Sequence, residues 1–162
     1  MTDIALINDF ITRGLQEDTR GFDHTSLACI PADDTSDAWI LIKDNGVLAG
    51  VELAKMILLH VDPHAKVDIL IQDGTAVEYG DIALTVTANS RSLLMAERLL
   101  LNVMQRMSGI ATLTAAYVDQ VKHTATRILD TRKTTPGLRA LEKYAVLCGG
   151  GVNHRFGLFD CI

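Results

Sequence analysis

The sequence predicts an α+β amino-terminal domain that passes into the first β/α units of a barrel or a doubly wound sheet. Three observations carry this prediction. Strand-like alternation and helical period are interleaved over the first 90 residues, and a long, strongly apolar helix follows. Beyond residue 110 the chain then changes to a rhythm of helix, short strand, loop, helix and glycine loop, typical of strands followed by crossover helices.

Asp3 to Glu17 places Ile4, Ile7, Phe10, Ile11 and Leu15 at helical spacing. TRGFDHTS (19–26) reads as a polar loop, and LACI (27–30), DAWILIK (37–43) and VLAG (47–50) as short strands. VELAKMILLH (51–60) has helical period and ends at Asp62-Pro63. KVDILIQ (66–72) and DIALTVTA (81–88) read as strands, with Gly74 and Gly80 punctuating the loop between them.

The long helix is expected over 92–109 with Gly109 as its cap, and a second helix over 111–125. Arg98, Asn102, Gln105 and Arg106 form a polar stripe along the first, with Glu97 beside it. Such a stripe serves either a solvent-facing edge or a cleft or subunit interface. RILDT (127–131) is expected as a short buried strand. In the next helix Thr135 is suited to cap, Pro136 to open the first turn, and Leu138, Leu141 and Ala145 to face inward.

Composition narrows the function. The 162 residues are 48% hydrophobic and 22% charged, which is globular and excludes a disordered tail. No apolar run approaches the roughly 20 residues of a membrane helix. The start has Asp3 and Asp9 and lacks the basic region of a signal peptide. Cys29, Cys148 and Cys161 are an odd set in apolar runs, expected as reduced core residues of a cytoplasmic protein.

The net charge of −5 conceals a split. Residues 127–162 carry Arg127, Arg132, Lys133, Arg139, Lys143 and Arg155 against Asp130, Glu142 and Asp160, and the remainder is acidic. A basic end on an acidic, aromatic-poor body fits a small polyanion better than nucleic acid.

Two motifs sit in that basic end. Arg132 and Lys133 follow RILD where strand gives way to loop, the position from which α/β folds bind ligands. An arginine fork and a lysine point charge both suit carboxylate or phosphate, though neighbours on an extended segment point to opposite sides. GGGVNHR (149–155) adds His154 and Arg155 after three glycines that permit close approach to a ligand or to another segment. The GxxxxGK[ST] phosphate loop is absent, and the histidines and cysteines have no metal-ligand spacing.

The run TRKTTPGLRALEKYAVLCGGGVNHRFGLFD (131–160) resembles the signature of the quinolinate phosphoribosyltransferases, the nicotinate-nucleotide pyrophosphorylases (carboxylating). ERLLLN (97–102) with SGIAT (108–112) resembles a second block of that family. EDTRGFDHTS (17–26) with GVLAG (46–50) resembles a third, although GFDHTS stands where the family more usually has an RGD-type start.

The resemblance implies an α+β domain over 1–110 and an incomplete α/β barrel from 111 to 162. It implies transfer of phosphoribosyl from phosphoribosyl pyrophosphate to quinolinate with decarboxylation, giving nicotinate mononucleotide, with Mg²⁺. Arg132, His154 and Arg155 would then bind quinolinate carboxylates, with Lys133 at the same anionic site and Arg139 in a lesser role. Arg98 would reach across a dimer interface into the neighbour's site. The family's further lysine, acidic metal-handling residues and phosphate loops would follow Ile162, so the expectation is a 162-residue chain that is inactive alone. Two other readings stand beside this one. DGTAVEYGDIALTV (73–86) is similar to the turn-and-strand pattern of lipoyl or biotin carriers, but Lys43 lacks their lysine context. A related enzyme of the same fold acting on another anion is the second.

Overall fold

The computed structural model describes residues 4–160. Helix α1 (Ile4–Thr19) buries Ile7 and Ile11 along one stripe. It leads to a short helix α2 (His24–Cys29), where a loop and a strand were expected. The reason is local: Asp23 caps the turn, accepting from the Ser26 N–H at 3.0 Å and from its hydroxyl at 2.5 Å. Cys29 is consequently exposed on this turn and is not a core residue. Cys148 is half-buried, and Cys161 lies outside the described residues.

Strands β1 (Thr35–Leu41), β3 (Lys66–Ile69) and β5 (Ile82–Asn89) form an antiparallel sheet in the order β1-β5-β3. The register sets Trp39 opposite Thr85, and Val67 and Ala38 on either side of Val86. The inner face presents Leu84, Val86 and Ala88 to the core, in step with the two-residue period of a strand. A smaller pair, β2 (Gly46–Val47) and β4 (Ala76–Val77), sits beside it, shorter than the VLAG strand expected. Helix α3 (Val51–Val61) buries Val51, Leu53, Ala54, Ile57 and Leu58.

Helix α4 (Ser90–Val121) is a single 32-residue element, about 48 Å long. It starts without a loop, because Asn89 ends β5 and caps the helix at once. Its side-chain oxygen accepts from the N–H groups of Arg91 and Ser92, and its amide nitrogen donates to the carbonyls of Ala32 and Asp34. Gly109 does not end the helix, and the two helices expected here are one. An interior glycine costs about 1 kcal/mol against alanine, but the buried stripe Val103, Met104, Met107, Ala111 and Thr114 runs straight through it. Packing on both sides of the glycine outweighs its propensity.

Beyond α4, RILDT is not a buried strand. Leu129 makes one parallel bridge to Val152 and is 53% exposed. Among the described residues no second strand covers its other side. Helix α5 (Arg139–Cys148) begins three residues later than Thr135-Pro136 predicted. Gly137 has φ +81°, so Thr135 to Leu138 forms a turn closed by the Leu138 N–H on the Thr135 carbonyl at 3.0 Å. Leu141 and Ala145 are buried as expected, and Leu138 is half-buried. No helix among the described residues is long and apolar enough to cross a membrane.

Candidate functional site

The parallel bridge between Leu129 and Val152 organises the basic end. Both segments leave the bridge in the same direction, so Thr131–Lys133 and Asn153–Arg155 emerge side by side. The Val152 N–H donates to the Ile128 carbonyl at 2.9 Å, and the Asp130 N–H to the Val152 carbonyl at 3.1 Å. Four of the six candidate residues, Arg132, Lys133, His154 and Arg155, thereby share one end of a two-segment ribbon.

Their settings differ. Arg132 is half-buried, and its Nε is buried with no hydrogen-bond partner. A buried guanidinium nitrogen without an acceptor is costly, and an anionic ligand at that nitrogen would relieve it. Lys133 is exposed, as opposite-facing neighbours require, and its N–H donates to the Thr131 hydroxyl at 3.0 Å. His154 is exposed and Arg155 half-buried. Arg139, on α5, is already engaged: Nε donates to Thr134 Oγ1 at 3.2 Å and Nη1 to the Phe156 carbonyl at 3.0 Å. It ties the two segments together.

Arg98 is not brought to this cluster. It is exposed on the outer stripe of α4 with Asn102, Gln105 and Arg106, and among the described residues no hydrogen bond or ion pair joins it to the ribbon. Arg106, two turns further on, does reach it. Its Nε and Nη2 donate to Glu142 Oε1 at 2.9 and 2.5 Å, and Nη2 also to Thr135 Oγ1 at 2.5 Å. The Thr135 N–H completes the bridge on Glu142 Oε2 at 3.2 Å. Burial raises the Glu142 pKa, but the hydrogen bonds from Arg106 and Thr135 and the arginine charge outweigh it and hold the carboxyl below its ordinary range.

The glycines of GGGVNHR serve packing. A Cβ on Gly149 would lie 2.4 Å from the Ala111 carbonyl oxygen, and one on Gly151 2.7 Å from Val146 Cγ1. Gly150 adopts φ +81°. The close approach allowed by the triple glycine is therefore to α4 and α5, and it seats Asn153–Arg155 beside the first segment.

Sequence reasoning passed over Lys143 and Glu142 as site-forming groups. Both are buried, Lys143 completely. Glu142 falls on the 138-141-142-145 helical stripe and was open to detection from spacing alone. Lys143 shares the opposite i, i+4 face with Arg139, and only the ribbon packed there gives it partners.

No group of three or more His, Cys, Asp or Glu among the described residues is arranged to hold a metal ion. The described residues therefore supply no ligand set for the Mg²⁺ that the resemblance implies for the longer enzyme.

Fold and site together define an α+β domain followed by the first elements of a barrel, with Arg132, Lys133, His154 and Arg155 gathered at one end of the parallel bridge. Comparison with known proteins makes this specific. Residues 23–108 match the quinolinate phosphoribosyl transferase N-terminal domain and residues 110–162 the quinolinate phosphoribosyl transferase C-terminal domain. The chain belongs to the quinolinate phosphoribosyltransferase family.

A relative in Arabidopsis thaliana, named nicotinate-nucleotide pyrophosphorylase (carboxylating), chloroplastic, is 51% identical over 140 residues, which are 86% of this chain and 40% of the relative. The nicotinate-nucleotide pyrophosphorylase (carboxylating) of Mycobacterium leprae is 49% identical over 156 residues, 94% of this chain and 55% of the relative. The crystal structure of NadC from Streptococcus pyogenes superposes with a TM-score of 0.94 at 38% identity, covering all of this chain and 58% of that one. The chain thus spans about 40% to 55% of the length of these curated relatives.

Proposed function

We propose that the chain carries the quinolinate-binding part of an enzyme that transfers phosphoribosyl from phosphoribosyl pyrophosphate to quinolinate. The pyridine nitrogen bonds to the ribose carbon as the bond from that carbon to pyrophosphate breaks. The ring carboxylate beside the nitrogen then leaves as CO2, and the ring carbon takes up a proton from solvent to give nicotinate mononucleotide. The observation that carries this reading is Arg132, a half-buried arginine whose buried Nε has no partner, set on the same ribbon end as His154 and Arg155. A planar dicarboxylate is the anion that uses forks from two neighbouring segments at once. In this reading Arg132, His154 and Arg155 hold the two carboxylates, and Lys133 provides a point charge on the outer side. Arg139 keeps the segments in place.

Calorimetric titration of quinolinate into the chain tests the reading. Arg132→Ala should weaken binding by about 2–5 kcal/mol, the cost of removing one partner of a buried charged pair. Unchanged affinity would return Arg132 to the role of a loop cation.

The exposed Arg98 supports a second element, a homodimer or higher oligomer with shared sites, in which Arg98 acts in the neighbour's site. In the longer enzyme, Arg98→Ala should then lose activity and regain it in mixed dimers with an Arg132→Ala partner. Failure of the mixture to recover activity would place Arg98 outside any shared site. The free thiols of Cys29 and Cys148 support a cytoplasmic setting.

A further inference from the structure

We infer that Lys143 is a positioning residue for this site: paired with Asp130, it fixes the backbone on both sides of His154 and so aims His154 and Arg155. The inference rests on the quinolinate reading for its ligand, but the clamp stands on geometry alone.

Lys143 is 0% exposed, an unusual state for a lysine. Its Nζ donates to Asp130 Oδ1 at 2.5 Å and to the His154 carbonyl at 2.9 Å, and lies 4.9 Å from the centre of the Phe156 ring. The ammonium is thereby satisfied on all sides. Asp130 is buried as well, with 6% of its side chain exposed. The same Oδ1 also accepts the His154 N–H at 2.8 Å. Turned toward them, the Asn153 amide nitrogen donates to Asp130 Oδ2 at 2.6 Å and to the Lys143 carbonyl at 2.9 Å.

These contacts close a ring of three hydrogen bonds around one residue. The peptide before His154 is held through its N–H and the peptide after it through its carbonyl, both by one ion pair. One helical turn earlier, Arg139 grips the Phe156 carbonyl. Helix α5 thus pins the backbone at 154 and again at 156, on either side of Arg155. What freedom remains to His154 and Arg155 is in their side-chain torsions.

Apolar packing of similar volume would stabilise a buried site about as well as such an ion pair. It has no direction, however, and cannot orient a peptide. A site that must present two side chains at fixed angles gains affinity when the backbone is set before the ligand arrives.

The test measures two quantities in the 162-residue chain: amide hydrogen exchange without ligand, and quinolinate affinity. In the wild type the His154 N–H should exchange at least roughly tenfold more slowly than its intrinsic rate. In Lys143→Met this protection should fall, and quinolinate affinity with it by on the order of tenfold, the scale of one charged hydrogen bond. The double variant Lys143→Met/Asp130→Asn leaves no unpaired buried charge, so it separates stability from positioning. Its unfolding midpoint should recover relative to Lys143→Met, while quinolinate affinity stays about tenfold down because the His154 carbonyl has lost its donor. Wild-type affinity in the double variant would overturn the proposal, as would absence of His154 protection in the wild type, which requires no variant. A wild-type chain that binds no quinolinate, yet loses His154 protection on substitution, would remove the quinolinate reading and leave the clamp.

Discussion

In the body of the molecule, Ile57, Leu84 and Met107 are the kind of large side chain that is buried completely; in the segment from 127 to 160 it is Lys143. Among the described residues, the only buried apolar side chains beyond Ala111 are Leu141 and Ala145. The body is held by non-directional burial, which supports a scaffold and tolerates small shifts. The basic segment is held by directional contacts: Arg106 with Glu142 and Thr135, Lys143 with Asp130, and Arg139 with Phe156. Charged hydrogen bonds thus fix the direction of the backbone in the basic segment, while hydrocarbon packing holds the body.

The largest effect should come from breaking the body. Ile57→Ala deletes a fully buried side chain of α3 and should cost about 2–5 kcal/mol in urea unfolding. At low temperature, where the variant remains folded, quinolinate affinity should match the wild type. A variant that lost affinity while still folded would show that body and ribbon are not separable.

The seam between the regions comes next. Gly149→Ala drives a Cβ into the Ala111 carbonyl of α4, a backbone atom that cannot move aside, and should cost about 3 kcal/mol. Gly150→Ala meets ordinary contacts, 3.7 Å from Val118, but carries the strain of φ +81°, about 1 kcal/mol. Equal costs at the two positions would mean that the seam is looser than its geometry. Amide exchange locates the damage, which should fall on Asn153–Arg155 and spare β5.

How much of this was legible in the sequence follows the same division. Alternation in DIALTVTA and helical period in VELAKMILLH report burial of one face, and the structure carries both. Boundaries failed where a single local residue decided them, Asp23 turning LACI into helix and Gly137 delaying α5, or where tertiary packing overrode propensity, carrying α4 through Gly109. At the site, the residue types of TRKTT and GGGVNHR pointed to an anion without any coordinates. The roles of Lys143 and Asp130 did not, because each depends on partners more than ten residues away that only the Leu129–Val152 bridge brings close.

The smallest effect sharpens the comparison through pH. Glu142 has a folded pKa held below 4.5, since the bonds from Arg106 and Thr135 outweigh the opposing effect of burial. The unfolded chain therefore takes up the Glu142 proton at higher pH than the folded chain does. The carboxylate's contribution is complete above the ordinary range, and it is lost as pH falls through the folded value. Unfolding free energy measured from pH 6 downward should drop more steeply in the wild type than in Glu142→Gln, with the difference opening as pH falls through the ordinary carboxyl range. Because Arg106 is 48% exposed, added salt should shrink that difference. Ile57→Ala should leave it untouched, since hydrocarbon packing has no proton to exchange. A Glu142→Gln chain that follows the wild-type acid profile would show that the bridge from α4 to Thr135 is geometric only, and that the ribbon's directional hold falls to Lys143 and Arg139.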